Sequence, residues 1–298
     1  MGLVIGMDEA GYGPNLGPLV ITATAWEVPG PPNEFDFWSS LQSVVSQTRC
    51  SDQSKLHVAD SKKVYWPSRG LTNLENSTLC LLSLMDWKPD SLLELWSRLT
   101  CDQSSPWECE PWFQEANVSL PTSAAQAVIA EASESLQACC SNQNIRLRGV
   151  RSEIVLTKRF NQLATQYNSK GVALSKLSCA LLRELWNPDD DEPTLIVADK
   201  HGGRNRYDEF LAEVLDDRFI FRIHEGREYS EYKIGNSTIR FQTRAESHFP
   251  VAFASLVCKY VRELTMKLFN EFWLRHIPDL KPTKGYPVDA LRFRSDVA

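Results

Sequence analysis

The sequence predicts an α/β domain, a mixed β-sheet flanked by helices, formed by residues 1–298 as one unit. Three observations carry this reading. Residues 2–8 and 17–26 are apolar runs separated by a Gly/Pro/Asn-rich segment, the pattern of two strands in a hairpin. "TLIVAD" (194–199) is a short apolar run suited to a fully buried strand, and the helical pattern "RYDEFLAEVLDD" follows it. In "FASLVCKYVRELTMKLF" (253–269), Phe253, Leu256, Val257, Tyr260, Val261, Leu264 and Leu268 form the apolar stripe of a helix covering about 249–273.

The other elements fall between these. Residues 34–60 read as helix and loop ending at "VADSKKV". From about 75 to 145 the composition shifts to Ser, Thr, Cys and tryptophans at 87, 96, 107 and 112, around the irregular "CDQSSPWECEPW". This is expected to be a helical insertion whose last helix is "SAAQAVIAEASESLQACC", opened by Thr122 or Ser123. "EIVLTKRF" (153–160) reads as a strand and "GVALSKLSCALLRELW" as an amphipathic helix. Residues 218–244 alternate and turn at Gly235-Asn236, as in a β-ribbon.

A net charge of −6 gives no overall basic field, so any nucleic-acid binding must come from a local patch. Arg146, Arg148 and Arg151, or Lys200, Arg204 and Arg206, are the clusters that offer one; a solvated face is the alternative for each. Eight cysteines without CxxC pairs or a secretory leader read as reduced thiols of a cytoplasmic protein. No apolar run is long enough to span a membrane, and a monomer is the expected state.

Candidate chemistry lies in carboxylates. "GMDEAGYGP" (6–14) places Asp8 and Glu9 at the end of an apolar strand, where uncompensated charge is costly to desolvate. Neighbouring strand side chains face opposite ways, so the two can share a ligand only where the chain leaves strand geometry. A solvated turn is the competing reading. Asp199 ends the second buried strand, where ligand sites gather in α/β sheets, although, taken alone, a helix-capping or loop aspartate is the commoner explanation. Glu263 shares an i, i+4 face with Ser255 and Lys259, a spacing that also suits a surface ion pair. Gathered together, such oxygen ligands suit Mg²⁺ or Mn²⁺ rather than zinc. Two ions held by carboxylates can activate water and stabilise the leaving oxygen of a phosphodiester.

The motifs then resemble a known family. "GMDEAGYGPNLGPLV" is similar to the opening signature of type 2 ribonucleases H (ribonuclease HII). "ADSKKV" (59–64), "KRFNQLATQYNSKGVALSKL", "LIVADK", "FASLVCKYVRE" and "KGYP" (284–287) resemble further family segments in the family's order. The resemblance implies an RNase H-like fold and divalent-metal cleavage of RNA in RNA–DNA hybrids, or at ribonucleotides in duplex DNA. It implies Asp8, Glu9, Asp199 and Glu263 as catalytic metal ligands. It implies backbone contacts from Gly11, Tyr12 and Gly13 to the ribose 2′-hydroxyl, phosphate contacts from Lys62 and Lys284, and stacking by Tyr286.

The chain departs from the family at two of these positions. Tyr12 replaces the arginine of Gly-Arg-Gly and supplies no guanidinium. Glu263 replaces an aspartate, with Glu246 as a possible substitute. The family's C-terminal helical segment is also expected to be reduced. The competing functions are therefore a nuclease of the same fold acting on DNA, and a nucleic-acid-binding protein without hydrolysis.

Overall fold

The structure is a computed structural model that describes residues 1–49, 55–101, 110–114, 117–215 and 218–298. Strands β1 (Gly2–Ala10) and β2 (Leu19–Val28) open the chain. A short helix α1 (Phe37–Ser40), two two-residue strands β3 (Val45–Ser46) and β4 (Leu56–His57) and the one-turn α2 (Ser61–Val64) follow. Helices α3 (Thr72–Leu82), α4 (Leu92–Leu99) and α5 (Gln126–Asn142) precede β5 (Arg146–Val155). Next come α6 (Thr157–Gln166), α7 (Lys170–Leu182), β6 (Thr194–Asp199) and α8 (Asp208–Val214). The ribbon β7 (Phe221–Glu225), β8 (Tyr229–Ile234) and β9 (Ser237–Gln242) leads to α9 (Phe249–His276) and α10 (Pro287–Asp296).

Seven strands form one mixed sheet in the order β5-β2-β1-β6-β9-β8-β7. β1 is antiparallel to β2 but parallel to β6, and β6 is parallel to β9. Helices flank this sheet, so the expected α/β architecture, a mixed sheet with flanking helices, is the one observed. Leu3, Ile5 and Met7 of β1 pack with Leu174 and Leu181 of α7 and Leu211 of α8. Val4 packs on the other face with Phe253 and Val257 of α9. Burial on both faces explains why the central strands read as continuous apolar runs rather than alternating ones.

Gly6 sets how close α9 comes to the sheet. A Cβ at this position would lie 2.2 Å from the carbonyl carbon of Pro250, at the start of α9. Thr24 Oγ1 of β2 also donates to the Pro250 carbonyl oxygen at 2.9 Å. The start of the helix therefore rests on backbone at Gly6, while Phe253 and Val257 further along pack on side chains such as Val4.

Within 75–145 the described residues hold most of α3 and all of α4 and α5, with irregular stretches between them, and α5 begins at Gln126 with no side-chain cap from Thr122 or Ser123; residues 102–109 and 115–116 lie outside the described residues. Leu79, Leu81, Leu95 and Leu136 of this segment share one apolar core with α9 and β2. Glu75 locks the layer in place. Its carboxylate accepts hydrogen bonds from Thr122 N, Ser123 N, Ala124 N and the Tyr260 hydroxyl of α9, at 2.6–2.7 Å. Burial works against its charge, but these donors hold the carboxyl below the usual range.

Two strand expectations are corrected. The strand expected at 153–160 runs instead from Arg146 to Val155, and Thr157 begins α6. Arg146, Arg148 and Arg151 obscure this strand because they lie on its more exposed positions and pair with Glu27, Glu192 and Glu184. Those pairs also remove that trio as an uncompensated basic patch. The turn expected to break β1 at Asp8 is absent, since pairing with β2 continues through Asp8, Glu9 and Ala10.

Gly6→Ala should force α9 away from β1. Overpacking of this kind costs about 1–3 kcal/mol, so the urea midpoint of the variant falls accordingly.

Candidate functional site

The parallel pairing of β1 with β6 runs up to Met7 and Ala198. Asp8 and Asp199 are the next residues on these neighbouring strands, so the register brings them together at the carboxyl end of the sheet. β1 continues past the end of its pairing with β6, and a cavity of about 310 Å³ opens there. Asp8, Glu9, Asp199 and Glu246 line it, together with Asp60, Ser61, Lys62, Ser255, Lys259 and Tyr286. A regular strand thus delivers both Asp8 and Glu9 to one cavity, because the cavity lies across the strand's end.

Asp8 faces α9, being two residues from Gly6 on the same side of the strand. The Ser255 hydroxyl of α9 hydrogen-bonds its carboxylate and accepts from the Ser61 amide at 3.3 Å. Burial, then the negative charge of Glu246 and Asp199, pushes the Asp8 carboxyl up to about 8, against the lowering effect of Ser255. Glu9 is raised well above its usual range by burial and by Asp8, Asp199 and Glu246. Burial also raises Asp199 and Glu246, which repel each other. Burial disfavours the Lys62 ammonium, but Asp60, Glu246, Asp8 and Asp199 outweigh it and hold Lys62 charged.

The fourth carboxylate is the point where the sequence expectation and the geometry part. Glu263 lies eight residues beyond Ser255 on α9, about 12 Å along the axis. It accepts a hydrogen bond from Tyr65 Oη at 2.7 Å and pairs with Lys259 Nζ. It lines an adjoining cavity of about 250 Å³ with Tyr65, Trp66, Lys284 and Tyr286. Glu246, in the turn after β9, lies with the other three acids instead.

Gly11, Tyr12 and Gly13 all line the carboxylate cavity. Gly11 has φ +101°, and a Cβ there would meet the Pro18 carbonyl oxygen at 2.2 Å, so only glycine fits. Gly13 faces open space. Tyr286 is 51% exposed at the rim shared by the two cavities, which leaves its ring free to stack on a ligand. Lys62 lines both cavities and Lys284 only the second.

Arg262 is a positioning residue not anticipated from sequence. Its guanidinium is buried and donates to the carbonyl oxygens of Pro18 at 2.7 Å, Leu16 at 2.9 Å and Lys284 at 3.3 Å. It ties the glycine-rich loop to the segment carrying Lys284 and Tyr286. Beside Glu263 in sequence it has the appearance of an ordinary surface ion pair, which hides this role.

The donor set is chemically suited to a hard divalent cation: four oxygen ligands on one cavity, each destabilised by burial and most by mutual repulsion. Among the described residues, no group of three or more His, Cys, Asp or Glu side chains is placed so that it could hold a metal ion as the side chains stand. No helix of the described residues is long and apolar enough to cross a membrane.

No family model and no curated protein sequence matches the chain. Its backbone is similar to ribonuclease H2 from Pyrococcus horikoshii OT3, at 14% identity and TM-score 0.40, over 96% of this chain and 82% of that one. It is similar to RNase HII in the PCNA:RNase HII complex from Archaeoglobus fulgidus, at 15% identity and TM-score 0.40, over 99% and 86%. Bst-RNase HIII in complex with Mn²⁺ matches at 15% identity and TM-score 0.36, over 91% and 55%.

A carboxyl whose folded pKa lies above its unfolded value favours the folded state at low pH. That contribution fades as pH climbs through the folded value, here from about 3.8 to about 8 for Asp8. A cation must displace the proton, so its apparent affinity rises over the same range. In thermal melts Mg²⁺ or Mn²⁺ should therefore stabilise the protein more at pH about 8 than at about 6. Asp8→Asn should flatten that difference.

Proposed function

We propose that this chain is a divalent-metal-dependent endoribonuclease of the type 2 ribonuclease H kind. Its substrate is the RNA strand of RNA–DNA hybrids, or ribonucleotides within duplex DNA, and its products carry 3′-hydroxyl and 5′-phosphate ends. The observation that supports this most is the gathering of Asp8, Glu9, Asp199 and Glu246 on one cavity rimmed by a glycine-rich loop, a lysine and an exposed tyrosine.

Asp8, Glu9, Asp199 and Glu246 are the residues that would hold Mg²⁺ or Mn²⁺. Such ions, when bound, activate water and stabilise the leaving oxygen. The chain's own groups supply the rest. Ser255 orients the Asp8 carboxylate, and Lys62 brings a positive charge that a phosphate can pair with. The backbone at Gly11 and Gly13 allows close approach of a sugar, where a 2′-hydroxyl distinguishes RNA from DNA. Tyr286 offers a stacking surface and Lys284 a second phosphate contact. Glu263 acts here by holding Lys259 and Tyr65 rather than as a metal ligand.

The experiment compares short duplexes: an RNA–DNA hybrid, DNA with one ribonucleotide, and its all-DNA twin, each with Mg²⁺ or Mn²⁺. The first two should be cut and the third spared, and Asp8→Asn should slow cleavage by at least about a hundredfold. Equal cleavage of the all-DNA duplex would reassign the chain as a DNA nuclease. Binding without cleavage of any duplex would make it a binding protein.

A further inference from the structure

The cationic cluster of Lys200, Arg204 and Arg206 divides into three different roles. Lys200 is buried, and its ammonium donates to the carbonyl oxygens of Arg204 and Gly226 and to Asn205 Oδ1. It is a staple for its own loop. Arg206 extends from the loop and pairs with Glu225. Arg204 takes part in no ion pair among the described residues, and its Nε is buried without a hydrogen-bond partner.

The Arg204 side chain is nonetheless held in place. Its guanidinium lies over the Phe210 ring at 4.5 Å. Its loop is anchored by Lys200, by Tyr207, whose hydroxyl accepts from the His201 amide, and by His201 Nδ1, 2.9 Å from Ser175 Oγ of α7. The last contact aligns the loop with α7. As a result, one point in the first turn of α7, the Cβ position of Gly171, is 3.8 Å from Arg204 Nη2 and 3.5 Å from Tyr12 Oη. Tyr12 in turn lines the carboxylate cavity. A guanidinium without a counterion and a phenol hydroxyl thus converge where glycine leaves space beside the cavity.

We infer that Arg204, with the Tyr12 hydroxyl, contacts a backbone phosphate of the nucleic-acid strand on the α7 flank of the carboxylate cavity. This rests on the nuclease reading and deepens it. The guanidinium that position 12 lacks is supplied from a different part of the chain. Arginine suits the task because its planar fork matches two phosphate oxygens, and Gly171 puts no side chain between the guanidinium and the Tyr12 hydroxyl.

The test measures binding of a labelled RNA–DNA hybrid by the full chain in EDTA, across a range of salt concentrations. Arg204→Gln should weaken binding roughly tenfold at low salt and lower the slope of log affinity against log salt by about one contact. Arg98→Gln, which removes the same charge from α4, should leave the slope unchanged. Replacing single phosphates by neutral methylphosphonates should identify one position whose loss weakens the wild type but not Arg204→Gln, an interaction that loss of folding could not mimic. If the wild type binds and Arg204→Gln keeps its slope and every methylphosphonate penalty, this assignment is wrong while the nuclease reading stands. If the wild type binds no nucleic acid, both are overturned.

Discussion

The bare backbone contact between α9 and β1 at Gly6 is the constraint from which the rest of the site follows. With no side chain at this point of contact, the start of the helix is held at one distance and one register from the strand. That places Ser255 against the Asp8 carboxylate and, two turns later, sends the Arg262 guanidinium under the glycine-rich loop. One helix thereby orients both an acid at the cavity floor and the loop at its wall. The Tyr260–Glu75 bond fixes the outer helices to the same helix, so the supporting layer and the cavity share one reference.

The electrostatics follow from this packing. Strand ends that are buried on both faces leave their terminal carboxylates little solvent, and the sheet order puts Asp8 and Asp199 on adjacent strands. Like charges so placed resist ionising together, which is why burial and mutual repulsion raise them. Lys62 offsets part of that charge and is itself kept protonated by the acids around it. On the proposed reading, the remaining negative charge is what a divalent cation would neutralise. Although the chain is acidic overall, cationic side chains are concentrated locally, with Lys62 and Lys259 lining both cavities.

Much of this was legible in the sequence. Continuous apolar runs marked β1, β2 and β6, and the 3.6-residue stripe from Phe253 to Leu268 marked α9. Acids placed at strand ends pointed to Asp8, Glu9 and Asp199, and the three do line one cavity. Periodicity could not tell which turn of α9 reaches that cavity, because Ser255, Lys259 and Glu263 are equivalent in spacing. Only packing separates Ser255 at Asp8 from Glu263 at Tyr65. Glu246 sits in a short turn after β9, where no period exists to read. Strand β5 was hidden by arginines that pair with acids from distant segments, and Arg262 by an acidic neighbour in sequence that it does not serve.

The central claim is that carboxylates from β1, β6 and the turn after β9 form one cation-binding centre. The most direct measurement is anomalous scattering from a crystal of the protein grown with Mn²⁺. The account predicts manganese peaks within about 2–2.5 Å of carboxylate oxygens from Asp8 and Asp199, with Glu9 or Glu246 completing the shell and Glu263 still on Tyr65. Peaks seated on Glu263, or none in the cavity at saturating Mn²⁺, would contradict it.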